Sequence, residues 1–380
     1  MKKITLILNT VKYLKVKQVF YRLIYFLKSK LPKKKYQSDL KDFIEPIKWN
    51  NSIHKPTSYF GDFNFNFLNI KKKFNDKINW NEEEYGKLWT YNLNYFDFLN
   101  QPAIEQSEAL LLMQDYVDRS VELKDGLEPY PTSLRCINWI KYLSKENIQD
   151  EVINKSLYNQ YIKLLDNLEY HLLGNHLLEN GFSLLFGAYY FKDDELYSKA
   201  KKIIEEELEE QILQDGAHFE LSPMYHQIIL DRVLDCVYLV KENAWKENLE
   251  FLNLMKLKAT EMMSWLNEVT FKDGIIPMVN DSAFGIAPDT SSLLEYGENL
   301  KILPRKIQLS ASGYRKFTND SYELFTDVGE VGPTYQPGHS HADTLSFILQ
   351  IDKPLIVDTG LSTYNMGDVR EEERSTIYHN

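Results

Sequence analysis

Residues 338–351 read GHSHADTLSFILQI and join a pair of histidines to an apolar run. The run 345–351 has the texture of a β-strand, on which positions i and i+2 lie on one face. If the strand extends back to His339 and His341, both imidazoles point the same way. A polar turn before a buried strand is the alternative interpretation. Other parts of the chain therefore have to supply partners before the pair indicates a functional site.

The residues after Pro304 predict antiparallel β structure. Short apolar runs alternate with turn residues at 312–317, 322–328, 345–351 and 355–358. A β-sandwich usually has more strands than these. We therefore expect residues 305–380 to form a truncated or partial sandwich domain that lies against the preceding part of the chain.

Residues 81–304 predict a helical domain. Apolar residues recur at helical spacing, as at Leu164, Leu168 and Leu172, and the linkers are short and rich in Gly and Asp. Many helices joined by short loops imply antiparallel neighbours, in a solenoid or a closed toroid. The expected helices lie at 88–99, 103–123, 132–145, 150–173, 179–191, 193–213, 223–243, 246–269 and 290–299.

Residues 1–80 predict a basic arm followed by a connector with little regular structure. Residues 1–35 contain no acidic residue, and 11–30 have the pattern of a basic amphipathic helix. Such a helix can lie on an anionic membrane surface or dock on the body of the protein, and both readings stay open. The apolar run 4–8 is shorter than a signal-peptide core, and no run reaches the ~18 residues of a membrane span. A cytoplasmic or membrane-peripheral location is expected.

Composition limits the classes of function. A net charge of −11 argues against a nucleic-acid binder but leaves room for a locally basic cleft that takes an anionic substrate. The 25 tyrosines and 20 phenylalanines suit an apolar core as well as sugar stacking. Cys136 and Cys236 lie in apolar helical contexts and are expected to be buried thiols.

Three polar stretches interrupt the helical region, at 174–176, 218–226 and 277–282. The first is expected to precede a helix, and the third to be a loop. Pro223 suits the start of a helix, which would put Tyr225 and His226 in its first turn. Each stretch alone fits capping or turn chemistry. Together with the histidine pair they form a candidate site.

Five segments of the chain, in this order, resemble the heparinase II/III family of polysaccharide lyases. They are NHLLENG at 175–181, ELSPMYH at 220–226, HSHAD at 339–343, VDTG at 357–360 and YHN at 378–380. The arm 11–30 and residues 131–135 also resemble family members associated with bacterial surface polysaccharide. The resemblance implies a multidomain α+β fold, with an N-terminal (α/α) toroid, a C-terminal antiparallel β-sandwich and a catalytic cleft between them.

The resemblance also implies a chemistry, β-elimination at a uronic acid. A donor must bind the sugar carboxylate and stabilise the enolate-like transition state, a base must remove the C5 proton, and an acid must protonate the leaving oxygen. Asn175 matches the carboxylate-binding position, with His176 as an alternative donor. We expect His339 to be the base and Tyr225 the acid, or both acid and base. Simple packing of Tyr225 is the alternative.

Trp89 and Arg135 are looser candidates, for stacking on an acidic sugar and binding it. Arg135 could equally form a structural ion pair. His341, Asp358 and His379 provide two imidazoles and a carboxylate, a set that suits Zn²⁺. The resemblance places a structural zinc ion at these residues. Without a metal, Asp358 would only orient His341 through a hydrogen bond.

The expected function is that of a lyase acting on an acidic, uronic-acid-containing polysaccharide. One alternative is a non-catalytic or biosynthesis-associated protein that binds such a glycan on the same fold. Another is a glycoside hydrolase on an (α/α) toroid, which requires two carboxylates that flank the scissile bond. Glu220 and Asp281 would be its candidates.

Overall fold

The computed structural model describes residues 9, 11–32, 34–37, 40, 44–50, 52–364 and 367–380. The apolar run 4–8 lies outside these residues. Within the described residues, the α-helices are α1 (Val16–Lys28), α2 (Lys87–Tyr95), α3 (Gln106–Asp118), α4 (Pro129–Lys145), α5 (Glu151–Asp166), α6 (Gly174–Phe191), α7 (Asp194–Gln211), α8 (Pro223–Glu242), α9 (Leu249–Val269), α10 (Thr290–Asn299) and the short α11 (Asp368–Glu373). Helices over 81–300 are thereby confirmed.

Local sequence explains where five of these helices begin. Asp150, Asp193, Ser222, Asn248 and Asp289 each precede a helix and accept a hydrogen bond from a backbone N–H of its first turn. Such a cap stabilises a helix by about 1 kcal/mol. Proline follows the cap of α8, as the sequence predicts.

Helix α6 lies at the centre of the helical body. Every residue of it except His176 and Phe191 is buried, and it packs against α4, α5, α7 and α8. Close approach is possible because of Gly187, where a Cβ atom would lie 2.7 Å from the ring of Tyr161 on α5. The body thus holds the N-terminal turn of α6 firmly in place.

The expectation that the connector has little regular structure is wrong for residues 64–73. Strands β1 (Asn64–Phe67) and β2 (Ile70–Lys73) form an antiparallel hairpin within it. Phe65 and Phe67 alternate with polar residues and are buried, and the ring centroid of Phe67 lies 5.3 Å from that of Trp89. The hairpin therefore forms because its apolar face covers the helical body.

The region after Pro304 forms an antiparallel sheet in the order β3 (Tyr314–Thr318), β4 (Glu323–Asp327), β5 (Phe347–Ile351) and β6 (Lys353–Ile356). Antiparallel β structure after the helices is confirmed. Among the described residues this is one four-stranded sheet, without a second sheet facing it. Strand β5 begins two residues later than predicted, because Leu345 has a left-handed φ of 73°. The expectation that strand geometry reaches the histidine pair is wrong.

The sheet packs on the helical body through its own small apolar core. Tyr314, Phe325 and Ile348 from the sheet join Leu221 and Trp265 from the helical part. The Tyr314 hydroxyl donates to the carbonyl oxygen of Leu221 at 2.6 Å. This junction fixes the loop before α8 against the sheet, and the candidate site lies beside it.

Helix α1 docks on the helical body. The Gln18 side chain donates to the carbonyl oxygen of Leu172 at 3.0 Å, and Tyr21 stacks on Tyr170 with ring centroids 4.6 Å apart. The Tyr25 hydroxyl donates to the carbonyl oxygen of Leu168. Docking on the body is thereby confirmed. None of the helices in the described residues combines the length and the apolar character needed to cross a membrane.

Candidate active site

Asp281 lies at the centre of the polar cluster. It is fully buried in the loop after α9, and its carboxylate accepts from His339 Nδ1 at 2.9 Å, from His341 Nε2 at 2.9 Å and from Arg370 at 2.7 Å. Burial alone would raise the pKa of Asp281, but these donors and their charges hold it well below its usual value. Asp281 is therefore an ionised anchor that aligns both histidines.

The imidazole of His339 is held on three sides. Nδ1 donates to Asp281, while Nε2 lies 3.3 Å from Glu220 Oε2 and 3.4 Å from Asn175 Nδ2. The ring stacks on Tyr225, with centroids 3.8 Å apart and an interplanar angle of 29°. The contacts of Nε2 are longer than a good hydrogen bond, so they are the ones that an incoming group can replace.

Asn175 lies in the first turn of α6, which begins at Gly174 and not after His176 as the sequence analysis expects. Leu173 and Gly174 both have positive φ, so the chain turns sharply into the helix. This turn aims the Asn175 side chain at Glu220, whose Oε2 accepts from Nδ2 at 3.0 Å. Asn175 Oδ1 is buried and has no hydrogen-bond partner within the described part of the chain.

Tyr225 lies in the first turn of α8, as predicted from Pro223. Ser222 caps this helix and accepts from the Tyr225 backbone N–H. Burial, and then the neighbouring Tyr364 and carboxylates, raise the pKa of Tyr225 well above its usual value. Its hydroxyl is therefore protonated near neutral pH. This state suits an acid and argues against a base in the free protein.

His176 points away from Asn175 and toward the rim of the cluster. Its Nδ1 donates to Glu169 at 3.2 Å, and its ring lies 4.7 Å from that of Tyr130. Burial lowers the pKa of His176, but the hydrogen bond and the charge of Glu169 outweigh it and raise the pKa above its usual value. Of the two candidate donors, Asn175 and His176, only His176 can carry a positive charge, and its raised pKa favours that charge.

The structure corrects two substrate-binding candidates. Trp89 is fully buried beside the hairpin, and its indole N–H donates to the carbonyl oxygen of Ile70 at 3.2 Å. Arg135 is also buried; it donates to the carbonyl oxygens of Asn94 and Gly126 and to the Gln160 side chain. Both are structural residues of the helical core and are closed to a substrate.

A cluster of possible metal ligands lies next to the catalytic candidates. Ligand atoms of Asp343, Asp358 and His379 all lie within 4.8 Å of one another, and the His341 and His379 rings are 5.3 Å apart. The alternative without a metal, in which Asp358 only orients His341, is wrong. Asp358 accepts from His379 Nδ1 at 2.8 Å, and Asp281 holds His341. Asp343 was not predicted as a ligand, and His341, which was, is not a member of this group of three.

Sequence reasoning also missed how carboxylates organise the site. Glu220 and Asp281 appear there only as a possible hydrolase pair, yet both contact the ring of His339. Arg370, on α11, and Tyr364, whose hydroxyl donates to the Asp281 carbonyl oxygen at 3.0 Å, were not considered. The available signal was the acidic residue inside two of the three polar stretches, Glu220 in 218–226 and Asp281 in 277–282.

A helical body followed by an antiparallel sheet, with an Asn–Tyr–His cluster at their junction, defines a class that comparison with known proteins identifies. The family model "Heparinase II/III N-terminus" matches residues 15–309, and "Heparinase II/III-like, C-terminal" matches 302–380. The chain belongs to the heparinase II/III-like family. No curated protein matches the chain.

Solved structures share the fold. "Crystal Structure of Heparinase III" is 18% identical with a TM-score of 0.61, and covers 81% of this chain and 57% of its own. The heparan sulfate lyase HepC from Pedobacter heparinus is 17% identical with a TM-score of 0.52, covering 82% and 56%. The heparinase III BT4657 gene product is 16% identical with a TM-score of 0.56, covering 81% and 58%. The chain thus spans under three-fifths of each, and its architecture is an (α/α) toroid plus a β domain.

The Glu169–His176 pair generates a pH prediction. Because the folded pKa of His176 is raised, the pair stabilises the fold below the unfolded pKa, and this contribution is lost as pH rises through the folded pKa. Replacing Glu169→Gln should lower the midpoint of the His176 imidazole titration, measured by NMR of the eight histidines. His218, whose pKa burial lowers well below its usual value, is the internal control. An unchanged His176 midpoint would show that Glu169 does not set its charge.

Proposed function

We propose that this chain is a polysaccharide lyase that cleaves a uronic-acid-containing acidic polysaccharide by β-elimination. The observation that carries the proposal is the convergence of Asn175, Tyr225 and His339 on one another from the starts of two helices and a loop 164 residues away. Membership of the heparinase II/III-like family supports the same class of reaction.

Binding of the sugar carboxylate is the first requirement. The C5 proton of an ionised uronate is weakly acidic, so donors must stabilise the charge that develops as the proton leaves. Asn175 Nδ2 would turn from its contacts in the free protein to the substrate carboxylate. His176, with its raised pKa, supplies a second donor at the rim.

Removal of the C5 proton falls to His339. Because Asp281 accepts the Nδ1 proton, the lone pair of Nε2 faces the side where substrate binds. Substrate would replace the long contacts of Nε2 with Glu220 and Asn175. Once Nε2 takes the C5 proton, the imidazolium is stabilised by the ionised Asp281, as a buried carboxylate stabilises a catalytic histidine elsewhere.

Protonation of the leaving oxygen falls to Tyr225. Its raised pKa keeps the hydroxyl protonated until the C4–O bond breaks. The electron pair of the C5–H bond forms the C4–C5 double bond, the C4–O pair leaves with the glycan, and the Tyr225 proton goes to that oxygen. The step consumes no water, and proton return from His339 to Tyr225 through solvent completes the cycle.

The hydrolase alternative has less support. Glu220 and Asp281 are both buried, and each contacts the same imidazole, so neither stands free beside a scissile bond. A glycan-binding protein without turnover would need the same cleft but not a tyrosine stacked on a histidine whose Nδ1 is held by a carboxylate. We therefore favour the lyase.

We further propose that a structural Zn²⁺ ion is held beside the site. His341 Nδ1, His379 Nε2 and Asp343 Oδ2 are buried and have no hydrogen-bond partner among the described residues. The other nitrogen of each histidine donates to a carboxylate, the arrangement that orients metal-binding imidazoles. Two imidazoles with the Asp343 carboxylate fit the donor set of zinc, while Asp358 accepts from His379 Nδ1 and orients that ligand. Such an ion would also offset the negative charge of this region, where burial and then the charges of Asp343 and Asp358 raise the pKa of the neighbouring Asp327 to about 6.

Product chemistry tests the proposed reaction. Incubation with a panel of sulfated and unsulfated uronate polymers, heparan sulfate included, should release fragments with the ultraviolet absorbance of a 4,5-unsaturated uronate. Tyr225→Phe should lower kcat by roughly 10²–10⁴-fold with little change in KM, because the hydroxyl acts mainly in the transition state.

Tyr158→Phe is the matched control, since that hydroxyl bonds to Asp193 at 2.9 Å on the outside of the helical body. It should turn over at the wild-type rate. New reducing ends without absorbance would indicate hydrolysis. Binding without any product, or full activity of Tyr225→Phe, would contradict the proposed mechanism.

Metal analysis tests the zinc proposal independently of activity. Protein purified without chelator should contain about one zinc ion per chain by mass spectrometry, the stoichiometry of a single structural site. Asp343→Asn and His379→Gln should lower that content, while the exposed Asp352→Asn should leave it unchanged. Wild-type protein free of metal, or full zinc content in both variants, would count against the site.

A further inference from the structure

Helix α1 turns its apolar side away from the protein. Its inward side carries Gln18, Tyr21 and Tyr25, which contact the helical body. The opposite side forms what we call the outer row, a continuous series of exposed apolar residues. Its members, with exposed fractions, are Val16 (85%), Val19 (41%), Phe20 (58%), Leu23 (57%), Phe26 (59%), Leu27 (56%) and Leu31 (66%).

The spacing of the outer row makes it one surface. From Val16 to Leu27 its residues recur at intervals of three and four, so they line a single stripe along the helix, and Leu31 follows just after the helix ends. A helix that merely packs on a protein turns its apolar stripe inward. Here polar and aromatic contacts hold the helix while the stripe stays open, so the outer row is not explained by docking on the body.

Cations border the outer row. Lys12, Arg22, Lys28 and Lys30 form no ion pair with a carboxylate in the part of the chain that the structure describes. Lys15 and Lys17, by contrast, pair with Glu210 and Glu206 of α7 and hold the helix in place. No acidic residue occurs before Asp39. Arg22 and Lys28 donate to the backbone carbonyl oxygens of His171 and Asp166, which do not neutralise their charge. The positive charge around the stripe therefore remains available to an external partner.

We propose that the outer row docks on an anionic lipid surface. Apolar side chains of an interfacial helix enter the boundary between headgroups and acyl chains, and flanking Lys and Arg attract anionic headgroups. A second copy of this chain fits less well, because two such stripes would bring their bordering cations together. Charge complementarity thus selects lipid, although the chain as a whole carries −11.

Docking would bring the candidate site to the membrane. Helix α1 contacts residues 168–172, directly before the turn that carries Asn175 and His176. The ammonium group of Lys15 lies 4.3 Å from the ring centroid of Tyr335, in the segment that leads to His339. Helix α1 thus lies beside the segments that carry the catalytic candidates, but lipid binding itself does not depend on lyase activity.

A fluorescent label tests the orientation directly. The native Cys136 and Cys236 are buried, so an environment-sensitive dye can be attached to Leu23→Cys alone. With phosphatidylcholine vesicles that contain phosphatidylglycerol, the dye should brighten and shift to the blue. The same dye at Leu249→Cys, an exposed apolar position at the start of α9, should not respond.

Vesicle sedimentation measures the affinity. Leu23→Gln with Leu27→Gln, and separately Arg22→Glu with Lys30→Glu, should each weaken binding to the anionic vesicles by at least about tenfold. Leu111→Gln, which changes an exposed leucine of α3, should bind as the wild type does. Circular dichroism confirms that each variant is folded.

Two results would overturn the proposal. One is the absence of binding to anionic vesicles, or equal binding by the Leu23/Leu27 variant. The other is a concentration-dependent dimer that the Leu23/Leu27 substitutions abolish while vesicles remain unbound, which would assign the stripe to a second copy. Neither result bears on the lyase proposal, because the ultraviolet assay uses soluble glycan.

Discussion

The buried carboxylate of Asp281 is the interaction on which the candidate site depends. An ionised group without solvent is costly unless charges and hydrogen bonds compensate it. Here His339, His341 and Arg370 do so, and they come from the loop before β5 and from α11. One carboxylate therefore ties the helical body to the sheet region and sets the orientation of His339 and His341 together.

Two helix N-termini meet this anchor. Asn175 and Tyr225 lie in the first turns of α6 and α8, where backbone N–H groups and the helix dipole favour negative charge. A sugar carboxylate bound there would be stabilised by the backbone as well as by side chains. The same burial raises the pKa of Tyr225 and keeps its proton available. The surroundings of the two side chains thus differ, and they suit Tyr225 to the role of acid and His339 to that of base.

The positions of most helices could be predicted, because they depend on residues close together in the sequence. Helical periodicity and capping residues placed α4 to α10 within a few residues, with two exceptions: α5 ends at Asp166, seven residues before the predicted end, and left-handed Leu173 and Gly174 begin α6 early. What failed depends on distant contacts. Arg135 is buried because carbonyl oxygens of Asn94 and Gly126 surround it, and Asp281 meets His339 across 58 residues. The two histidines converge through Asp281, although the strand geometry first invoked is absent.

The proton positions on His339 test this account most directly. Nitrogen-15 NMR of the imidazoles, at the pH of turnover, distinguishes a protonated ring nitrogen from a bare one. The account predicts a proton on Nδ1, shared with Asp281, and a bare Nε2 available to take the C5 proton. A proton on Nε2 would contradict it, because His339 could then not act as the base.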